Sequence, residues 1–180
     1  MIDDLVARAL AAPARCGPTR LVCVDGPSGS GKTELATRLA AVLGGVPLLH
    51  MDDLYPGWDG LAAGVATLRA DVVGPLLAGR PARYRRWDWA RACYAECHDL
   101  GTPPLLVVEG VGAGAVEGAG GRVASLLVWV DAPAEVRYRR AMARDGATYA
   151  PSWARWAAQE RAHFAADRTR DRADVVMSTG

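Results

Sequence analysis

Apolar residues fall into two alternating patterns along the chain. Ile2, Leu5, Val6, Ala9 and Leu10 follow the i, i+3, i+4, i+7, i+8 spacing of a helix with one apolar face, which predicts a helix packed against the rest of the domain. Residues 21–24 form a short continuous apolar run ending in Asp25-Gly26, and residues 33–43 then read as a helix that stops at Gly44-Gly45. Further short runs occupy residues 46–51, 105–108, 126–130 and 173–177. Continuous apolar stretches of this kind are expected of strands buried on both faces. Residues 61–77, 133–145 and 152–168 lie between the runs and are long enough for crossover helices.

The alternation predicts an α/β fold in one domain over residues 1–180, with a parallel sheet of about five strands and helices on both faces. Residues 1–18 supply the N-terminal amphipathic helix and a connector. Sheets of this class bind ligands beyond the carboxyl ends of their strands, so the chemistry is expected just after each apolar run. The residues found there are Gly26 onward, Asp52-Asp53, Glu109-Gly110 and Asp131. Asp131 precedes Ala132-Pro133, where a helix N-cap explains it, and it is left out of the site. Residues 110–121 are rich in Gly and Ala and read as a mobile segment.

Composition narrows the partners. With 51% apolar residues and a formal net charge of +1 over 180 residues, the chain is neither a disordered tail nor a disulfide-built miniprotein. Its 21 basic and 20 acidic residues nearly cancel, which argues against a nucleic-acid partner held by phosphate neutralisation. No apolar run approaches a membrane span, and Asp3 and Asp4 stand where a secretory leader would be basic, so a cytoplasmic protein with no membrane partner is expected. Cys16, Cys23, Cys93 and Cys97 form no C-x-x-C pair and read as reduced thiols. Cys93, Cys97 and His98 lack the second ligand pair that a zinc site at this spacing needs. Of the 21 Lys and Arg residues, only Lys32 is a lysine.

That lysine lies in Gly26-Pro27-Ser28-Gly29-Ser30-Gly31-Lys32-Thr33, a full match to G-x-x-x-x-G-K-[ST] between a predicted strand and a predicted helix. Glycines let successive backbone N–H groups turn inward around an anion, with the helix N-terminus behind them. Lys32 reaches β- and γ-phosphates as a compact charge, and the Thr33 hydroxyl is placed to ligate Mg²⁺. The chain has no Asn, hence no N-K-x-D guanine-reading segment, and its length is short for a motor ATPase. A small-molecule phosphotransferase fits better. Glu109 ends a buried strand, where a charge is costly unless it serves a metal or a donor, and a Mg²⁺ role is expected for it.

The segments Asp25 to Thr33, Met51-Asp52-Asp53-Leu54-Tyr55, Val108-Glu109-Gly110, Arg137-Tyr138-Arg139-Arg140 with Arg144-Asp145, and Arg172-Ala173-Asp174-Val175-Val176 resemble, in order, those of uridine kinase-like nucleoside kinases. The resemblance covers about residues 20–177. It implies ATP as donor, a hydroxyl of a nucleoside or similar small molecule as acceptor, and Asp52 as the carboxylate that takes the hydroxyl proton. Asp53 is the neighbouring alternative, and a role as Mg²⁺ water ligand or helix N-cap is open to either. Arg137, Arg140 and Arg144 stand at i, i+3 and i+7 on one helix face, and the resemblance makes residues 137–152 a lid over the triphosphate, with Asp145 to Thr148 as its hinge. Tyr55, Asp59, Trp87 and Asp88 fall in the two segments where uridine kinases hold the nucleoside, together with Trp58, Tyr84, Arg85, Arg86 and Trp89; core packing accounts for any one tryptophan equally well. Where the family carries Asp-His-Pro-like and Tyr-Asp-Phe-like segments, this chain has Trp58-Asp59-Gly60 and Trp87-Asp88-Trp89, so the resemblance does not extend to uridine itself. A kinase for a non-nucleoside alcohol or a nucleoside monophosphate, and a nucleotide-sensing module without transfer, are the alternatives.

Overall fold

The computed structural model describes residues 1–118 and 121–180. In chain order its elements are α1 (Ile2–Ala11), β1 (Arg20–Asp25), α2 (Lys32–Val42), β2 (Leu48–His50), a 3₁₀ turn (Met51–Asp53) and α3 (Leu61–Thr67). A π-helical turn (Leu68–Val73) leads into α4 (Gly74–Leu77), followed by β3 (Ala82–Asp88), β4 (Cys93–Gly101), β5 (Leu105–Glu109), β6 (Glu117–Gly118) and β7 (Gly121–Arg122). The chain closes with β8 (Leu126–Asp131), α5 (Ala134–Tyr149), a 3₁₀ turn (Ala150–Ser152), α6 (Trp153–Asp167), α7 (Thr169–Arg172) and β9 (Val175–Ser178). Pro75 offers no N–H to the preceding turn, and the helix widens to π geometry just before it.

Five parallel strands make the central sheet in the order β2-β5-β1-β8-β9, as the apolar runs predict. β5 is buried throughout, β1 in all but Arg20 and β8 in all but Asp131. Alternation along β1 sorts the core into two. Val22 and Val24 face α1 and α2 with Leu5, Ala36 and Leu39, while Leu21 and Cys23 face a larger cluster with Leu54, Tyr55, Leu68, Leu76 and Trp156. The register also fixes the strand ends: Glu109 stands beside Val24 on one side and His50 on the other. The carboxyl edge of the sheet therefore gathers Asp25, His50 and Glu109 before any loop is considered.

Two features differ from expectation. The antiparallel β3–β4 hairpin was not anticipated, because its strands interrupt their apolar residues with six charged ones. The segment 110–121 is anchored rather than mobile in its first half, and residues 119 and 120 lie outside the described residues. Val111, Ala113, Ala115 and Val116 are buried, and the N–H groups of Gly112 and Gly114 bond the Asp25 carboxylate. Among the described residues, no helix is long and apolar enough to cross a membrane.

Candidate active site

β1 runs directly into the glycine-rich loop, and the loop into α2. Gly26 has φ 142° and Gly29 φ 79°; a Cβ at these positions would lie 2.0 Å from the Val130 carbonyl and 2.3 Å from the Arg137 carbonyl. Backbone conformation and close approach both require glycine there. Lys32 is buried, and its Nζ donates to the Pro27 carbonyl at 3.0 Å, so the ammonium closes the loop on itself. Thr33, in the first turn of α2, has its Oγ1 at 3.1 and 3.2 Å from the two Glu109 carboxylate oxygens.

Glu109 is buried at the end of β5, and its Oε1 also lies 2.7 Å from His50 Nδ1. That contact, against some opposing effect of burial, raises the His50 pKa. Asp52, in the 3₁₀ turn after β2, remains open to solvent within the cleft, yet the protein around it pushes its carboxyl above the ordinary value, with Glu109 adding to the effect. The Thr33 hydroxyl and the carboxylates of Glu109 and Asp52 line one recess. These are hard oxygen donors of the kind Mg²⁺ takes, and they fit such an ion.

Behind the loop, Asp25 is fully buried and accepts from the N–H groups of Gly26, Gly112 and Gly114 at 2.6, 3.0 and 2.8 Å. Burial outweighs those three bonds and pushes its pKa up to about 6. A second buried carboxylate, Glu160 of α6, accepts from the Ser28 N–H and from Trp156 Nε1, both at 2.9 Å. Trp156 Nε1 also lies 3.1 Å from Ser28 Oγ. The loop is thus held from two sides by carboxylates that leave its inward face clear.

All three arginines of the predicted lid row sit on α5, near the loop. Arg137 bonds the carbonyls of Ala132 and Ser28, and Arg140 bonds Thr179, whose hydroxyl in turn donates to the Ser30 carbonyl. Arg144 pairs with Asp145 at 2.7 Å. Arg140 and Arg144, with Lys32, Thr33, Asp52 and Glu109, enclose a cavity of about 230 Å³ over the glycine-rich loop. The α5 backbone breaks at Gly146 (φ 48°, ψ −124°), inside the predicted hinge.

Next to this cavity opens a cleft of about 700 Å³. Asp52, Thr33, Glu109, Ser28 and Arg144 belong to both, so Asp52 stands at their junction. Asp53, Tyr55, Trp58, Trp89, Tyr149 and Trp156 line the cleft alone. Trp58 stacks on Tyr149 at 4.9 Å between ring centroids and lies 4.8 Å from Trp89. The β3–β4 hairpin holds the acidic turn, with Trp89 Nε1 donating to the Asp52 carbonyl at 2.8 Å and Tyr84 Oη to Asp53 Oδ2 at 3.3 Å.

No family profile matches the chain. Over its whole length it is similar to the structure of a possible uridine kinase from Bacillus stearothermophilus, with TM-score 0.66 and 22% identity, covering 98% of this chain and 96% of that one. A candidate fructose transport system kinase from Silicibacter sp. TM1040 is similar with TM-score 0.53 and 19% identity, covering 100% and 99%. The chain has a P-loop NTPase-type α/β fold. In sequence it is 37% identical over 99 residues to a tRNA dimethylallyltransferase from Geobacter sulfurreducens, a stretch of 49% of this chain and 31% of that protein. The match spans less than a third of that relative's length, and its name shows that proteins related to this chain are not all kinases.

Within the P-loop NTPase-type fold, the residues expected on the acceptor side divide. Tyr55 reaches the cleft but is also core, its Oη donating to the Val111 carbonyl at 2.7 Å. Asp59, Trp87 and Asp88 do not line the cleft. Asp59 points to solvent and pairs with Arg155 at 3.3 Å. Trp87 packs edge-on against Tyr94, and Asp88 caps the hairpin turn by accepting from the N–H groups of Ala90 and Arg91. Sequence reasoning also passed over His50, Asp25, Tyr149, Trp156 and Glu160. Asp25 directly follows the predicted run 21–24 and His50 lies one residue from the end of the run 46–51, so both were within reach of the strand-end rule, whereas the α5 and α6 residues carry no local signal.

Proposed function

We propose that the protein is an ATP- and Mg²⁺-dependent phosphotransferase that moves the γ-phosphate to a hydroxyl of a nucleoside or similar small molecule. The observation that carries this reading is the position of Asp52, whose side chain borders both the cavity over the P-loop and the aromatic cleft beside it. An alcohol in the cleft and a phosphoryl group in the cavity would meet at this carboxylate. Asp52 accepts the hydroxyl proton as the new P–O bond forms, and its raised pKa makes it a better proton acceptor than an ordinary aspartate. Lys32 and the inward N–H groups of the loop hold the phosphates, and Arg140 and Arg144 lie where charge develops on the transferring group. Mg²⁺ held by Thr33, Glu109 and Asp52 would neutralise phosphate charge.

Asp52→Asn is expected to lower turnover by about a hundredfold or more, the scale of a general base, while leaving the affinity for a non-hydrolysable ATP analogue within about twofold. The assay is a screen of nucleosides, nucleotides and small alcohols for ATP consumption, read by mass gain on the acceptor. Wild-type turnover in the variant would refute the base assignment. The dimethylallyltransferase relative favours a second reading, in which the cradle holds a diphosphate leaving group. The same mass measurement separates the two, since one transfers a phosphoryl group and the other a dimethylallyl group.

A further inference from the structure

The charges around the acceptor cleft are one-sided. It is lined by the carboxylates of Asp52, Asp53, Glu109 and Asp145 and by only two basic side chains, His50 and Arg144. Both basic groups are already engaged within the cleft, His50 with Glu109 at 2.7 Å and Arg144 with Asp145 at 2.7 Å. Lys32 and Arg140 face the adjoining phosphate cavity and do not line the cleft. With Asp52 and Glu109 turned to the Mg²⁺ side, Asp53 is the carboxylate of the cleft that makes no ion pair among the described residues, and it receives only the long 3.3 Å bond from Tyr84. A phosphorylated acceptor would bring two negative charges to a cleft with no uncommitted guanidinium or ammonium, beside a donor that is itself polyanionic.

The apolar lining points the same way. Trp58 lies 4.8 Å from Trp89 and 4.9 Å from Tyr149 between ring centroids along this cleft, and Trp156 lies 6.3 Å from Trp58 in an edge-on arrangement. Trp89 keeps 37% of its surface exposed, and with the other rings it offers indole and phenol surface in the cleft that Asp53 also lines. Aromatic faces beside a carboxylate without an ion-pair partner attract a weakly hydrated cation through ring quadrupole and charge together. A neutral flat ring would use the aromatics but leave Asp53 without a function.

Resting on the phosphotransferase reading above, we infer that the acceptor is an alcohol carrying a positive charge, an amine or quaternary ammonium, bound between the Trp58–Trp89–Tyr149 cluster and Asp53. The hydroxyl then faces Asp52, and nucleoside monophosphates are excluded by charge. In the transfer, the acceptor oxygen bonds phosphorus, the bond from phosphorus to the bridging oxygen of ADP breaks, and the hydroxyl proton goes to Asp52.

The test uses the full chain with Mg²⁺ and a non-hydrolysable ATP analogue, titrated with choline and with choline's uncharged isostere, carbon replacing nitrogen. Binding is followed by ligand-observed NMR and by tryptophan fluorescence. Choline is expected to bind about fivefold or more tightly than the isostere, and Asp53→Asn to erase most of that difference. Equal binding of the two probes, no binding of choline, or full discrimination retained in Asp53→Asn would overturn the inference. Affinity for the ATP analogue, measured in the same samples, reports separately on the phosphotransferase reading: its absence would count against that reading, and its presence without choline discrimination against this inference alone.

Discussion

Glu160 offers a quantitative test of how the P-loop is held. The carboxylate is 4% exposed and accepts from the Ser28 N–H and from Trp156 Nε1, each at 2.9 Å. In Glu160→Ala the indole keeps its second partner, Ser28 Oγ at 3.1 Å, but the Ser28 N–H has no other acceptor. A hydrogen bond to a charged acceptor contributes about 1.5–3 kcal/mol, and the half-buried Ser28 places the loss in the lower part of that range. The one methylene removed from a buried site adds about 1 kcal/mol. The total is about 3 kcal/mol, a sizeable part of the roughly 5–15 kcal/mol that holds a domain folded. Glu160→Gln retains an amide oxygen able to accept from both N–H groups and should cost about 1 kcal/mol. Urea unfolding of the three proteins reads these differences as midpoint shifts at constant slope. The affinity for an ATP analogue should fall in the same order, since Ser28 belongs to the loop that cradles phosphate. An alanine variant within about 0.5 kcal/mol of wild type would refute the buttress, and a glutamine variant as unstable as alanine would show that charge rather than bond geometry matters.

Two further outcomes are expected. Lys32→Arg should lower kcat/KM by about a hundredfold or more, because the wider planar guanidinium cannot take the buried place where Nζ lies 3.0 Å from the Pro27 carbonyl; initial-rate kinetics with any accepted substrate checks it. Asp25 should give the fold a pH dependence. Its pKa rises from 3.8 unfolded to about 6 folded, so the folded state binds the proton more tightly and stability falls as pH rises between those values, by about 3 kcal/mol in all, and is level above. Asp25→Asn lacks this fall, so the difference in stability between wild type and variant changes with pH by that amount, while one of the three backbone donors loses its acceptor. Urea unfolding from pH 4 to pH 7 measures both effects, and a difference that does not change with pH would refute the assignment.

The centre of the parallel sheet was readable because β1, β5 and β8 are continuous apolar runs that each end on a carboxylate. In a sheet covered on both faces, burial leaves no room for the polar alternation that would confuse a strand with a loop. The hairpin escaped for the opposite reason. Along β3, Ala82 and Tyr84 are buried and Arg83 and Arg85 exposed, a true period of two, but the charged residues on its outer side mask it. The glycine- and alanine-rich segment after β5 was misjudged from composition. Small residues there permit the backbone to approach: a Cβ on Gly114 would lie 2.7 Å from Leu127 Cδ1 and 3.1 Å from the Asp25 carboxylate. Composition that looks flexible is, in this place, what close packing requires.

The two halves of the site were unequally legible because they are built differently. The phosphate cradle is one contiguous stretch whose chemistry resides in its backbone, so eight consecutive residues specify it. The acceptor cleft is assembled by packing across the fold. Trp58, from the segment before α3, meets Tyr149 at the end of α5 and Trp89 at the hairpin turn, and the Gln159 side chain fastens its carbonyl across 101 residues of sequence. Trp87, Asp88 and Trp89 are adjacent in sequence, yet only Trp89 reaches the cleft, because β3 ends at Asp88, which is committed to capping the turn, and Trp89 already belongs to that turn. Acceptor specificity is therefore a property of how the hairpin and α6 seat against the acidic turn. Changes there should alter the choice of acceptor while the P-loop, held by Asp25 on one side and Glu160 on the other, keeps its shape.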